Sequence, residues 1–132
     1  MDEPKEKLQE IAESMGVGHF HRHVFLCLGP DCCDAAAGQQ AWDVLKRELK
    51  DRGLSLGRGP TACYRTKASC LRICTGGPIL VVYPEGTWYH GMTAERIPVF
   101  VEQHLVQGKP IEEWIFARNP LPQAGKTDCD GT

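Results

Sequence analysis

The run Cys70-Leu71-Arg72-Ile73-Cys74-Thr75-Gly76-Gly77-Pro78, leading directly into Ile79-Leu80-Val81-Val82-Tyr83, restricts the possible folds of this chain more than any other stretch. Two thiols four residues apart, then two glycines and a proline, then a continuous apolar segment, describe a tight ligand loop leaning on a sheet edge. Pro84-Glu85-Gly86 is turn chemistry and Thr87-Trp88-Tyr89-His90 is strand-like again, so residues 79–90 read as a β-hairpin. A chain carrying this block must supply a sheet for the hairpin and a partner for the thiols.

The sheet comes from the segments upstream. Val24 to Leu28 is continuously apolar, as in a buried strand, and Cys27 stands at its end. Leu28-Gly29-Pro30-Asp31 turns the chain, and Cys32-Cys33 lead into Asp34 to Lys50, where Trp42, Leu45 and Leu49 recur at helical spacing before Gly53. The positive end of that helix is expected to favour thiolate at the adjacent cysteine. Residues 53–60 read as a Gly-rich connection and residues 61–66 as a short strand. Thr93 is a candidate N-cap for a helix from Ala94 to Val106 with Ile97, Val101 and Leu105 inward, and Pro98 falls where a missing N–H costs little. Residues 109–116 form one more element. A β-α-β unit followed by β-β-α predicts an α/β fold of thioredoxin-like plan, a central mixed sheet flanked by helices.

The ends are different in kind. Leu8, Ile11, Ala12 and Met15 lie at helical spacing among Lys, Glu and Gln, which predicts a short amphipathic helix ending at Gly16 and packing on the domain or on a partner. Residues 1–18 are thus an N-terminal helical extension, residues 19–119 the domain, and residues 120–132 a flexible tail. At 132 residues the chain suits one core.

Seven cysteines are many for a chain whose first residues are too charged for a signal peptide and which has no run approaching the roughly 18 apolar residues of a membrane span. The expectation is a cytoplasmic protein, where clustered thiols point to metal or redox chemistry before structural disulfides. A net charge of -2 with scattered basic residues gives no reason to expect nucleic acid.

In this topology Cys27 and the Cys32-Cys33 pair lie at the same end of the sheet as Cys70 and Cys74, so four thiolates can converge. Soft sulfur ligands suit zinc or an iron–sulfur cluster, and the spacing departs from the paired C-x2-C knuckles of structural zinc. Trp42, Leu45 and Leu49 fall in register with a helix opened at Cys33, which favours Cys33 over Cys32 as the second ligand, with Cys32 the alternative. Cys63 reads as a buried small hydrophobe and Cys129 as a free tail thiol. His19, His21 and His23 alternate and could bind metal, but a solvated strand start accounts for them. No acid–base pair or nucleophile constellation stands out, so no catalytic residue is assigned.

His23-Val24-Phe25-Leu26-Cys27, Cys33 at a helix start, Cys70-x3-Cys74 with Gly77-Pro78, and Val81-Val82-Tyr83-Pro84-Glu85-Gly86-Thr87-Trp88-Tyr89 resemble the thioredoxin-like 2Fe-2S ferredoxins. The same plan recurs in the thioredoxin-like cluster subunit of bacterial complex I. The resemblance implies one 2Fe-2S cluster on Cys27, Cys33, Cys70 and Cys74, a homodimer, and a one-electron carrier serving a redox partner protein. Three departures stand against it: a shortened loop between the first two ligands, the doubled Cys32-Cys33, and the N-terminal extension. A zinc-stabilised interaction module and a thiol–disulfide protein are the competing readings, the second lacking a C-x2-C motif at a helix start.

Overall fold

The computed structural model describes residues 3–29, 33–54, 62–73 and 75–121. Among the described residues, five strands form one mixed sheet: β1 (Arg22–Cys27), β2 (Cys63–Ala68), β3 (Leu80–Tyr83), β4 (Thr87–Tyr89) and β5 (Ile115–Arg118), in the order β2-β1-β3-β4-β5. β1 and β2 run parallel, with α2 (Ala35–Asp51) between them in sequence, and the remaining pairings are antiparallel. Such a mixture follows from the chain: a parallel pair needs a crossover, whereas Pro84-Glu85-Gly86 closes a hairpin. Gly86 has φ +66, and a Cβ there would collide with the Asn119 carbonyl, so the turn admits glycine alone.

The core lies on one face of the sheet. Val24 and Leu26 of β1, Leu80 and Val82 of β3 and Tyr89 of β4 meet Ala41, Trp42, Leu45 and Leu49 of α2, with Ile97, Phe100, Val101 and Leu105 from the last helix. Helical-period burial on α2 matches the spacing read from the sequence, and β3 buries Leu80, Val81 and Val82 in succession, as its continuous apolar run predicts. Residues of the opposite face, Phe25, Tyr64, Tyr83 and Trp88, are only half-buried. There the His23 ring stacks on Phe25 at 4.1 Å and bonds the Thr66 hydroxyl at 2.7 Å, and burial lowers its pKa. His19 and His21 are exposed and precede the strand, so the three histidines do not share one strand face.

The last helix starts later than the sequence suggests. The Thr93 hydroxyl donates to Glu95 and caps nothing; residues 94–96 are a turn. The helix proper is α3 (Ile97–Phe100), widening into a π-helical stretch, Val101–Val106. That widening keeps Val101, His104 and Leu105 all buried. His104 sits among apolar side chains because its two ring nitrogens are occupied: Tyr89 donates its O–H to Nδ1 at 2.7 Å, and Nε2 donates to Glu85 at 3.0 Å. Arg22 Nε completes the set at 2.6 Å from the same Glu85 oxygen, joining β1, the hairpin turn and the π-helical stretch. Burial would raise the Glu85 carboxyl, but the hydrogen bonds from His104 and Arg22 prevail and hold it at about 2. The predicted element over residues 109–116 is a 3-10 turn, Glu112–Trp114, and then β5, which extends the sheet by an edge strand.

α1 (Glu3–Met15) forms as expected, but Leu8 is 65% and Ile11 45% exposed, so half of its apolar stripe is uncovered, while Ala12 and Met15 are half-buried. None of the described helices is long and apolar enough to cross a membrane.

Candidate metal centre

β1 delivers Cys27 to the end of the sheet and buries it to 1% exposure. Its N–H donates to the Ile79 carbonyl at 2.8 Å and the next N–H, of Leu28, to Ala68 at 2.9 Å. Cys27 is therefore held between the chain entering β3 and the chain leaving β2. Its Sγ lies 3.7 Å from the carbonyl oxygen of Ser69, the neighbour of Cys70.

The return to α2 depends on two glycines. Gly29 has φ +89, and a Cβ there would run into the Cys33 carbonyl and stand 3.3 Å from Cys33 Sγ. Gly38, in the first turns of α2, would place a Cβ 2.5 Å from the Leu28 carbonyl oxygen. Both let the helix start fold back onto the end of β1. Cys33 consequently joins Cys27 and Ile79 in a small apolar cluster completed by Leu71 and Trp88. Leu71 comes from the 70s loop, so the convergence of the two loops at one sheet end is observed.

Cys70 is exposed, and its Sγ accepts a hydrogen bond from the Arg72 backbone N–H at 3.1 Å. Arg72 has φ +72, the left-handed region that costs an L residue on the order of 1 kcal/mol. That conformation turns the amide toward sulfur; the backbone of Arg72, not its exposed guanidinium, is the group that contacts the thiol. Below the loop, Gly91 N–H donates to the Gly76 carbonyl at 2.7 Å and Met92 N–H to Pro78 at 2.9 Å. Cys32 and Cys74 lie outside the described residues, as does Cys129. Among the described residues no three metal-binding side chains converge.

The thiols differ in state. Cys27 is disulfide-bonded, while Cys63 and Cys70 are free thiols. Burial and the adjacent Asp34 carboxylate push the Cys33 thiol up, against a downward pull from the Gly38 N–H. The thiolate-favouring effect expected at this helix terminus is thus outweighed, because Cys33 stands half-buried beside a negative charge. Cys63 is 1% exposed, with its pKa pushed up to about 12 mainly by burial, as suits a small core hydrophobe. Sequence reasoning missed Gly29 and Gly38; a glycine inside the otherwise Ala- and Gln-rich start of α2 was the available signal.

The donors fit an iron–sulfur group in kind: soft sulfur, an apolar wall of Ile79, Leu71 and Trp88, and a backbone amide already aimed at one sulfur. Ligation by Cys27 requires the reduced chain.

The chain is similar to known proteins. A 2Fe-2S ferredoxin of Clostridium pasteurianum is 31% identical over 100 residues, spanning 68% of this chain and 90% of that one. A 2Fe-2S ferredoxin of Aquifex aeolicus is 37% identical over 57 residues, 43% of this chain and 51% of the relative, so that match spans about half the relative's length. The solved structure of a thioredoxin-like [2Fe-2S] ferredoxin from Aquifex aeolicus superposes with a TM-score of 0.63 at 24% identity, covering 82% of this chain and 99% of the other. No protein-family model matches the chain.

Proposed function

The chain belongs to the thioredoxin-like 2Fe-2S ferredoxins, and from that membership we propose that Cys27, Cys33, Cys70 and Cys74 hold its cluster, with Cys32 the alternative to Cys33. It is an electron-transfer protein and not an enzyme. When bound, a 2Fe-2S cluster supplies a one-electron couple whose potential follows net charge, hydrogen bonds to sulfur and solvent exposure.

The residues around the proposed ligands act on those three quantities. Ile79, Leu71 and Trp88 keep water from the Cys27 and Cys33 side. On the other side, Cys70 is exposed, which gives a partner protein a short approach. The Arg72 N–H, held by its left-handed backbone, offsets negative charge on the Cys70 sulfur. The observation that carries the ligand assignment is the meeting of Cys27 and Cys33 with Leu71 of the 70s loop around Ile79.

The native assembly on this reading is a homodimer in the cytoplasm, serving a redox partner protein and not nucleic acid. Support for the compartment comes from the free thiols of Cys63 and Cys70 in a chain of seven cysteines. Protein purified anaerobically with a reductant should be red-brown, with two irons and two labile sulfides per chain. Colourless protein containing zinc would defeat the assignment in favour of a zinc-stabilised module.

A further inference from the structure

Five cationic side chains gather at one edge of the domain. Arg65 and Lys67 project from β2, the strand at the end of the sheet, onto the side covered by α2. Both are held over the ring of Trp42, Arg65 at 5.4 Å and Lys67 at 5.9 Å. Trp42 is itself fixed in the core, so these cations have a rigid platform and lose less freedom on binding than free surface chains. Lys46, Arg47 and Lys50 of α2 line the same concavity as Arg65, and all three are exposed. Among the described residues none of the five is in an ion pair. Among the described residues, Asp43 and Asp51 are the acidic side chains that line the same concavity, in a chain whose net charge is -2.

This ridge reaches the cysteine end. Lys67 also lines a groove whose walls include Leu28, Gly29, Ala68 and Ser69. Gly29 abuts Cys33, and Ser69 precedes Cys70. A protein seated on the ridge therefore has its nearest surface beside the exposed Cys70.

We propose that the edge formed by Lys46, Arg47, Lys50, Arg65 and Lys67 is the docking surface for an acidic face of the redox partner. The proposal rests on the ferredoxin reading for the partner's purpose, and on charge complementarity for its chemistry. An acidic protein suits the surface better than a nucleic acid: Asp43 and Asp51 interrupt any phosphate track, and Trp42 is too buried to stack on a base. β2 is also the edge strand of the sheet, and cations on such a strand disfavour pairing with another strand edge.

The test is a titration of the isotope-labelled, cluster-loaded full chain with a hexaglutamate peptide, followed by amide chemical shifts at low salt. Shifts should centre on Lys46, Arg47, Lys50 and Arg65 and disappear in half-molar salt. The exposed pair Lys46→Glu with Lys50→Glu should weaken binding by about tenfold or more, while Lys46→Arg with Lys50→Arg should leave it intact. Absence of shifts at low salt, shifts centred elsewhere, or tighter binding of a DNA duplex of equal charge at the same residues would each overturn the proposal. The readout is amide position and not iron, so the two readings fail separately. A sample without the cluster spectrum counts against the ferredoxin reading alone, and a full spectrum without peptide shifts counts against the docking surface alone.

Discussion

Gly38 and Leu28 meet backbone to backbone: a Cβ on Gly38 would stand 2.5 Å from the Leu28 carbonyl oxygen and 2.8 Å from its Cα. In an ordinary helix, replacing glycine by alanine stabilises by roughly 1 kcal/mol. Here the added methyl must displace either the start of α2 or the end of β1, and neither is the far end of a flexible side chain. Gly38→Ala should therefore reverse the helix-propensity sign and destabilise the protein by roughly 1–3 kcal/mol, read from the urea midpoint. Because Leu28 follows Cys27, the same variant should also lower the yield of cluster-loaded protein. Unchanged stability with full cluster loading would show that the close approach has no consequence.

The Arg22, Glu85 and His104 set predicts an acid limb in the stability profile. Glu85 has its folded pKa depressed from 4.5 to about 2, with hydrogen bonds from His104 and Arg22 overcoming burial. A depressed carboxyl contributes stability that is fully present above the unfolded value and is lost as pH falls toward the folded one. Glu85→Gln should thus be less stable than the native chain at pH 6 by roughly 2 kcal/mol, after discounting for partial exposure. That gap should close between pH 4.5 and about 2. Urea titrations of both proteins across this range decide it; a gap that does not change with pH removes ionisation of Glu85 as its source.

How much of this was legible in the sequence depends on the range of the interaction. The 79–90 hairpin and the inward set Trp42, Leu45 and Leu49 were readable because period and turn chemistry are local. So was the burial of Cys63. The exposure of Leu8 and Ile11 was not, since helical spacing predicts an apolar stripe but not what lies opposite it. Glu85 and His104 pair across 19 residues through the hairpin turn, with no pattern linking them in one dimension. Arg72 in the left-handed region escaped because nothing in the side chain announces φ +72. At the site, the meeting of two cysteine loops followed from topology, whereas the glycines that permit it required the backbone itself.

Cys63 and Cys70 should separate cleanly in thiol chemistry. Cys70 is exposed, and Cys63 is 1% exposed with its thiol raised to about 12. In cluster-free protein at neutral pH, iodoacetamide should modify Cys70 within minutes and leave Cys63 untouched until the chain is unfolded in urea. Peptide mass mapping of alkylated protein makes the comparison. Labelling of Cys63 at a similar rate would mean that β2 opens readily, contrary to its place in the core beside Leu54 and Val24.

The second ligand is the remaining question for mutagenesis. Cys33 shares its apolar cluster with Cys27, Ile79, Leu71 and Trp88, and the close approach of Gly29 fixes its backbone. Cys32 precedes it in the sequence and lies outside the described residues. Cys33→Ser should abolish or strongly shift the visible and paramagnetic resonance spectra, because an oxygen ligand changes both charge donation and potential. By contrast, Cys32→Ser should leave both spectra in place. Each variant keeps one cysteine of the pair, so a chain that recruits the neighbour would show a shifted spectrum in Cys33→Ser instead of none. The reverse pattern, a lost spectrum in Cys32→Ser with Cys33→Ser unaffected, would transfer the ligand role to Cys32 and leave Cys33 as a packing residue against Gly29.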